Sequence, residues 1–382
     1  MLVLGAGLQG SACAFDLLQN PAITEVRLAD RPTTELPSFL ASYAADPRLK
    51  RIALDVKDDA AVRGAMDGVK AVMCALPYYF NFDMTKLAIE AGVHFSDLGG
   101  NTEIVFNQKA LEADAKNAHV SVIPDCGLAP GMVNILAELG ISRCDSVKSV
   151  KIFVGGLPQK PEGPLKYQIV YSLEGVLDYY TTLSWVVREG KRHQVKALSE
   201  LETVEFPAPV GTLEAFHTAG GLSTMAFRYE GKIRTMEYKT LRYPGHAVIM
   251  EAIRDLGLLA LEPIQVKGTT VVPRDVAVAA MSQRLTKQKS ADLVALRVTV
   301  SGMRCGKPAT VGWQLIDRCD EARGITAMMR TTGFSLAITG LMQVRGQVRS
   351  QGVCTPDETM PGAEYIAELA KRGIALQPLV AG

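Results

Sequence analysis

A glycine turn between the first strand and the first helix, an alternation of strands and helices as far as residue 124, and longer alternating strands after about residue 146 predict an α/β protein. The first domain, residues 1–125, is expected to be a Rossmann-type, doubly wound parallel sheet. The second, 126–324, is expected to be an α+β domain built on a mostly antiparallel sheet. The helical segment within 325–382 is expected to return to the first domain. A length of 382 residues accommodates two such units.

The first element is "LVL", followed by Gly5, Gly7 and Gly10 in the spacing G-x-G-x-x-G and then a helical pattern. Each glycine meets a separate need: a tight turn, backbone approach to a pyrophosphate, and close packing of helix on strand. Leu8 and Gln9 open the helix, whose free N–H groups favour phosphate. The second strand, "EVRLAD", ends at Asp30, where an acid grips ribose hydroxyls and repels a 2′-phosphate. NAD is therefore the expected cofactor, although Arg31 beside it is of the type that pairs with such a phosphate.

Further strands are expected around Ile52–Leu54, Ala71–Cys74, His94–Ser96 and Val120–Pro124, alternating with helices. Ligands collect beyond the carboxyl ends of such strands. Asp55 and Val56, then Ala75, Leu76 and Pro77, lie at two of these ends and are expected beside the cofactor. Asp97 in "SDLGGN" and Asp125 in "PDCGLAPG" lie at two more and are candidate acid–base groups. Either could instead tie down its own loop. Tyr78 and Tyr79 follow "ALP", Tyr78 as a candidate catalytic hydroxyl and Tyr79 as a pocket wall.

In the second domain "VVREGKRHQV" reads as a hairpin about Glu189-Gly190, "RTMEYKTLRY" as a strand, and residues 291–317 as a two-strand hairpin. Ser172 reads as a helix cap, with Glu174 in the first turn. The methionines and leucines of "GITAMMRTTGFSLAITGLMQV" read as packing. Long strands with few crossover helices are the basis for expecting an antiparallel sheet.

Composition limits the function. A net charge of +1 offers no basic surplus for nucleic acid. Seven scattered cysteines with no CxxC pair fit reduced thiols rather than a disulfide framework or zinc cluster, and no metal is expected. No stretch reaches the ~20 uninterrupted apolar residues of a membrane helix. Residues 1–20 lack a secretory leader, so a cytoplasmic location is expected.

The motifs VLGAGLQG, SDLGGN, IPDCGLAPGMVNIL, FVGGLP, YSLEGVLDYYT, LEAFHTAGGLST, EYKTLRYPGH and TTGFSLAI…GVCTPDE, spread over nearly the whole chain, resemble the saccharopine dehydrogenase-like family. The resemblance is strongest to its lysine 6-dehydrogenases. It implies NAD, a basic amino acid as small-molecule substrate, and oxidation at the ε-carbon of lysine to the 6-semialdehyde, which cyclises with the α-amine. A homo-oligomer, dimer or higher, is also expected. Arg242 in "LRYPGH" is best placed by this resemblance to hold the α-carboxylate. His217, His246 and Thr224 are further candidate substrate contacts.

The chemistry needs help at the amine. An ε-ammonium has a reference pKa of ~10.4, so holding it neutral at pH 7 costs about 4–5 kcal/mol. Two other readings stay open: reductive condensation of an amine with an aldehyde, as in saccharopine reductase or carboxynorspermidine dehydrogenase using NADP(H), and a non-catalytic NAD-binding scaffold.

Overall fold

The computed structural model describes residues 1–32, 35–169, 172–285 and 290–381. Tyr171, which opens the YSLEGVLDYYT motif, and Gly382 lie outside the described residues. The N-terminal sheet has seven strands in the order Gly352–Val353, Ser121–Ile123, His94–Asp97, Ala71–Cys74, Leu2–Leu4, Val26–Asp30 and Leu49–Ala53. Every pairing is parallel. Its inner strands Leu2–Leu4, Ala71–Cys74 and Ser121–Ile123 are short, apolar and buried on both faces, as a parallel sheet between helices requires, while the edge strand Leu49–Ala53 is mostly exposed. Val3, Leu28 and Met73 enter one hydrophobic core, and their neighbours Leu2, Leu4, Ala29, Val72 and Cys74 enter another.

The second sheet is mixed and, as expected, mostly antiparallel. Thr235–Arg242 runs parallel to Ser146–Pro158, whereas Asp292–Arg304 pairs antiparallel with both Ser146–Pro158 and Lys307–Arg318. The hairpin Ser184–Arg188 to Lys191–Val195 turns through Glu189 and Gly190, with φ of 48° and 77°. Two successive left-handed residues match the twist of the flanking strands. Ser172 caps the helix Leu173–Thr181 by accepting the Gly175 N–H at 3.3 Å, with Glu174 in the first turn. The helices His246–Asp255 and Pro273–Leu285 extend this domain beyond its sheet.

One long helix, Ala327–Val344, joins the two halves. It starts at the second sheet, where the Asp292 carboxylate accepts the N–H groups of Ala327 (2.7 Å) and Met328 (3.0 Å). Such a carboxylate satisfies orphan donors and suits the positive end of the helix. The helix then crosses the glycine-motif helix Leu8–Leu18. A Cβ on Gly333 would lie 2.6 Å from the Gln9 carbonyl oxygen, so glycine lets the two backbones meet. Phe334 stacks on Phe15 at 6.3 Å. The chain then supplies strand Gly352–Val353 to the first sheet and strand Gln377–Ala381 to the second. No helix among the described residues is long and apolar enough to cross a membrane.

Candidate active site

The glycine turn has the form a dinucleotide needs. Gly5 has φ +94°, and a Cβ there would press on the Ala75 carbonyl oxygen at 2.9 Å. A Cβ on Gly10 would overlap the Gly5 carbonyl oxygen, while one on Gly7 would meet nothing within 4 Å. Two glycines thus permit packing, and the third leaves a face open for a ligand. The Asp30 carboxylate accepts the Ala6 N–H at 2.5 Å and the Arg31 N–H at 2.6 Å. It faces a ≈ 310 Å³ cavity lined also by Leu28, Arg31 and Arg51.

Ala75, Leu76 and Pro77 follow the neighbouring strand, with the Ala75 N–H on the Leu4 carbonyl at 2.8 Å. Leu8 is half exposed at the helix start. Asp55 and Val56 stand apart from the ribose-side cavity. Asp55 accepts its own turn's Lys57 N–H at 3.0 Å, and Val56 packs against the core. Gln9 points the other way: both atoms of its side-chain amide are buried without a hydrogen-bond partner. A buried amide left without partners is costly. The residues present fit a nicotinamide dinucleotide, with Gln9 available to its inner end.

Gln9 lines a ≈ 200 Å³ cleft between the domains, together with Gly99, Leu128, Tyr179, Thr240 and Arg242. The second domain's share follows from strand periodicity. In Thr235–Arg242, the alternate residues Tyr238, Thr240 and Arg242 face the cleft. Glu237 and Lys239 face an ion-pair network behind it. Arg242 is buried, donates Nη1–H to the Leu241 carbonyl at 2.8 Å and lies 4.8 Å from the Tyr167 ring centre. Thr240 and Thr218 share a hydroxyl hydrogen bond of 2.7 Å.

Asp97 and Asp125 meet beneath the Leu98–Gly100 turn. Asp97 is fully buried and committed: it accepts Gly99 N–H at 2.7 Å, Asp125 N–H at 3.2 Å and Gln108 Nε2–H at 2.7 Å. Burial still raises its pKa to about 6. That is the loop-tying role weighed from the sequence. Asp125 sits at φ +64°, accepts the Ser223 hydroxyl on Oδ2 and has no hydrogen-bond partner on Oδ1. Burial first, and then the charge of Asp97, push its pKa to about 8. Its carboxylate lines neither cavity but lies one layer below, with Ser223 above it.

Ser223 opens into a second chamber of ≈ 520 Å³, lined also by Tyr78, Glu103, Asp178, Tyr179 and Trp185. Tyr179 lines both spaces, and burial lifts its phenol above the usual range. Tyr78 therefore belongs to this chamber and not to the cleft that holds Arg242.

Four expected substrate contacts lie elsewhere. Tyr79 is 60% exposed, turned onto Phe80 at 4.7 Å between ring centres. His246 is buried, paired with Tyr180 Oη at 2.9 Å and the Leu165 carbonyl at 3.0 Å. Burial first, then Arg242, lower its pKa to about 3, so it is neutral. His217 lies behind the sheet, with Nδ1 on the Tyr238 carbonyl (3.1 Å) and Nε2 near Glu200 (3.1 Å). The ligating atoms of Glu200, His217 and Glu237 lie within 4.8 Å of one another, but Arg188, Lys151 and Lys239 already pair with this cluster's acids or with adjoining Glu202. Thr224 is buried at the start of the short helix Met225–Arg228 and lines neither space.

Sequence reasoning missed Tyr179, Tyr238, Thr240, Met328 and Thr332 as cleft residues. The period-two register of EYKTLRY would have found Tyr238 and Thr240 once Arg242 was chosen. Met328 and Thr332 carry no such signal, because only the return of the long helix brings them there.

Comparison with known proteins agrees with this architecture. Residues 1–123 match the family model "Saccharopine dehydrogenase NADP binding domain", and residues 127–374 match "Saccharopine dehydrogenase C-terminal domain". The chain belongs to the saccharopine dehydrogenase family. Members are oxidoreductases acting on amino groups, with a nicotinamide-dinucleotide domain. Carboxyaminopropylagmatine dehydrogenase of Synechocystis is 20% identical over all of this chain and 98% of its own. The NADP(+)-dependent, L-glutamate-forming saccharopine dehydrogenase of Saccharomyces cerevisiae is 26% identical over 68% of this chain and 58% of its own. The solved apo structure of the yeast L-Glu-forming enzyme shares the fold at TM-score 0.79, with 21% identity, 100% of this chain and 99% of that one covered. Homospermidine synthase from Legionella pneumophila, solved with NAD, follows at TM-score 0.70 and 10% identity, covering 100% and 91%.

Proposed function

We propose that this family member oxidises the ε-carbon of L-lysine with NAD, releasing ammonia and the 6-semialdehyde that cyclises to the piperideine carboxylate. The observation that carries the reading is that a buried arginine and the Gly99 turn above Asp125 line one small cleft, beside the unpartnered Gln9 amide.

In this reading Arg242 holds the α-carboxylate, and its planar fork fixes the substrate's direction. The side chain lies along Leu98, Leu128 and Met328, which exclude water. The amine approaches Ser223, whose hydroxyl passes a proton to Asp125. A carboxyl with pKa about 8 is matched to that task near neutral pH, where it exchanges protons readily. Once that proton has been released to solvent, the ionised pair takes one from the water that hydrolyses the imine. The nicotinamide, when bound, supplies the hydride acceptor. Asp30 favours the unphosphorylated ribose of NAD, against the opposing charges of Arg31 and Arg51.

The test is NADH formation with L-lysine against a panel of amines, with piperideine carboxylate identified by mass spectrometry. Dinucleotide binding without turnover on any amine would leave only a scaffold.

A second reading, reductive condensation of an amine with an aldehyde, is favoured by the ≈ 520 Å³ chamber, which a lone lysine does not need, and by the full-length match to carboxyaminopropylagmatine dehydrogenase. NADPH consumption with an amine and an amino-acid semialdehyde, in the absence of lysine oxidation, would select it.

We also propose that the protein self-associates. Leu256, Leu261, Ile264 and Val266 are 78%, 61%, 49% and 44% exposed within one short stretch, which supports a buried contact. Light scattering of the protein and of Leu256→Asp tests this.

A further inference from the structure

We infer that Asn134 is the positioning residue of the proton pair: its side-chain amide clamps the loop carrying Ser223 to the loop carrying Asp125, so that the serine hydroxyl meets the acid. The inference deepens the lysine reading and rests on it for the task that the pair performs.

The two members of the pair come from segments that do not define each other. Asp125 and Ser223 are 98 residues apart in the chain. Each has a left-handed backbone, with φ of +64° and +49°, which a residue bearing a side chain keeps only where its surroundings impose it.

Asn134 lies between them, buried on the helix Met132–Ile141. Its Oδ1 accepts the Gly131 N–H at 2.7 Å, while its Nδ2 donates to the carbonyls of Gly221 (3.2 Å) and Leu222 (3.3 Å). The amide cannot be turned over, because an N–H requires the oxygen and two carbonyls require the NH2 group. On one side Gly131 backs onto the acid's own main chain: a Cβ there would lie 2.8 Å from the Asp125 carbonyl oxygen. On the other side Leu222 immediately precedes Ser223.

Capping the helix uses only Oδ1. The donor end is spent on the serine loop, 87 and 88 residues away. One turn further along the same helix face, Glu138 accepts from Arg228 (3.1 and 3.3 Å) and from the Tyr229 hydroxyl. Arg228 also reaches the buried Asp357 at 2.8 Å. Residues 221–229 are thus held at both ends by one helix face. Glu138 fixes the far end, and Asn134 fixes the end that carries the hydroxyl. Gly221 is backed by the Tyr238 ring, which a Cβ there would overlap.

A hydrogen bond to a carboxylate favours its ionised form, and Ser223 supplies one to Asp125. The charges of Asp97, on strand His94–Asp97, and of Asp357, on helix Pro356–Thr359, act in the opposite sense. Releasing the serine therefore raises the acid's midpoint and breaks the proton path, while Arg242 and the glycine turn stay in place.

The experiment is a double-mutant cycle of Asn134→Leu and Ser223→Ala, with Asn134→Ser as a smaller replacement that folds where leucine does not. Initial rates with lysine and NAD give kcat and KM. Infrared difference spectra against Asp125→Asn follow the Asp125 carboxyl as pH rises, with no substrate present. Each single change should lower kcat about tenfold or more, with KM and dinucleotide affinity held within about threefold. Each should also move the carboxyl's midpoint upward from about pH 8. The double variant should lose less than about threefold beyond either single change, because both act on one contact. Full additivity in kcat, or an unmoved midpoint in a folded Asn134 variant, overturns the inference and leaves the lysine reading standing. Coupled shifts of the midpoint in a protein that oxidises no lysine keep the clamp and reject that reading.

Discussion

Asp125 folds its carboxylate over the α-carbon of Gly99, so closely that a side-chain carbon at 99 would overlap Oδ1. Gly99 also has φ +69°, and Asp97 holds its N–H at 2.7 Å. One turn thus fixes the acid's position and forms part of the cleft wall.

Gly99→Ala should therefore act on the acid as well as on the backbone. A left-handed alanine costs about 1 kcal/mol or more, and displacing Oδ1 disturbs the proton path. We expect Tm to fall by a few degrees and kcat by more than about tenfold. Dinucleotide affinity, measured by fluorescence, should change less than about twofold. A large loss of affinity would mean that the turn serves the cofactor instead.

The raised pKa of Asp125 sets a pH profile. Activity on lysine should climb through about pH 8 as the carboxyl ionises, and continue upward as more free amine forms toward the substrate's ~10.4. Asp125→Asn should abolish the first rise and lower kcat roughly 10²- to 10⁴-fold. Stability moves oppositely. A carboxyl whose folded pKa exceeds its unfolded value of 3.8 destabilises the fold increasingly as pH rises from about 4 to about 8. The Asn variant should melt higher than the parent at pH 8 and nearly equally at pH 4. Equal melting at both would show that the carboxyl is not held protonated.

Arg242→Gln should raise KM for lysine, because a buried charge-assisted contact is worth about 2–3 kcal/mol, roughly 30- to 150-fold. Diaminopentane, which has no carboxylate, should be a poor substrate for the parent and lose little more in the variant. Equal losses on both compounds would assign Arg242 a packing role.

Asp30→Ala should shift nucleotide selection. With the acid gone, Arg31 and Arg51 remain in the same cavity, and the ratio of NADP to NAD affinity, read by calorimetry, should rise about tenfold or more. An unchanged ratio would place the ribose elsewhere.

His246→Leu should cost stability without altering the reaction. It removes the buried hydrogen bond between His246 Nε2 and Tyr180 Oη, a loss of about 1 kcal/mol, and kcat should hold. Since the folded pKa of His246 is lowered to about 3, its contribution is complete above about pH 6.5 and is lost as pH falls from there toward 3. In the variant this acid-side loss should shrink. A kcat collapse at unchanged Tm would restore His246 to the site.

The first domain was legible because its signals are local. The spacing of Gly5, Gly7 and Gly10, the acid at Asp30 and the buried triplets each declare one element. Asp97 and Asp125 are legible as strand-end acids for the same reason. Their division of labour was not legible, since it depends on which N–H groups surround each carboxylate. His217 and His246 stand next to or near glycines, and a histidine there looks the same in sequence whether its ring faces a cleft or a tyrosine. Tyr179 and Met328 reach the site only through packing between segments well separated in the chain, which no window of sequence displays. The second sheet was read as mostly antiparallel from its hairpins, while the parallel entry of Thr235–Arg242 leaves no mark in its alternation.

The central claim is that the amine on the ε-carbon, held between Arg242 and the Ser223–Asp125 pair, is the one that leaves. Lysine isotopically labelled at only one nitrogen at a time, incubated with protein and NAD and followed by mass spectrometry of the released ammonium, tests it directly. The account predicts that the ε-label appears in ammonium and the α-label stays in a cyclic imine. Release of the α-label, or of neither while nucleotide is bound, would contradict it.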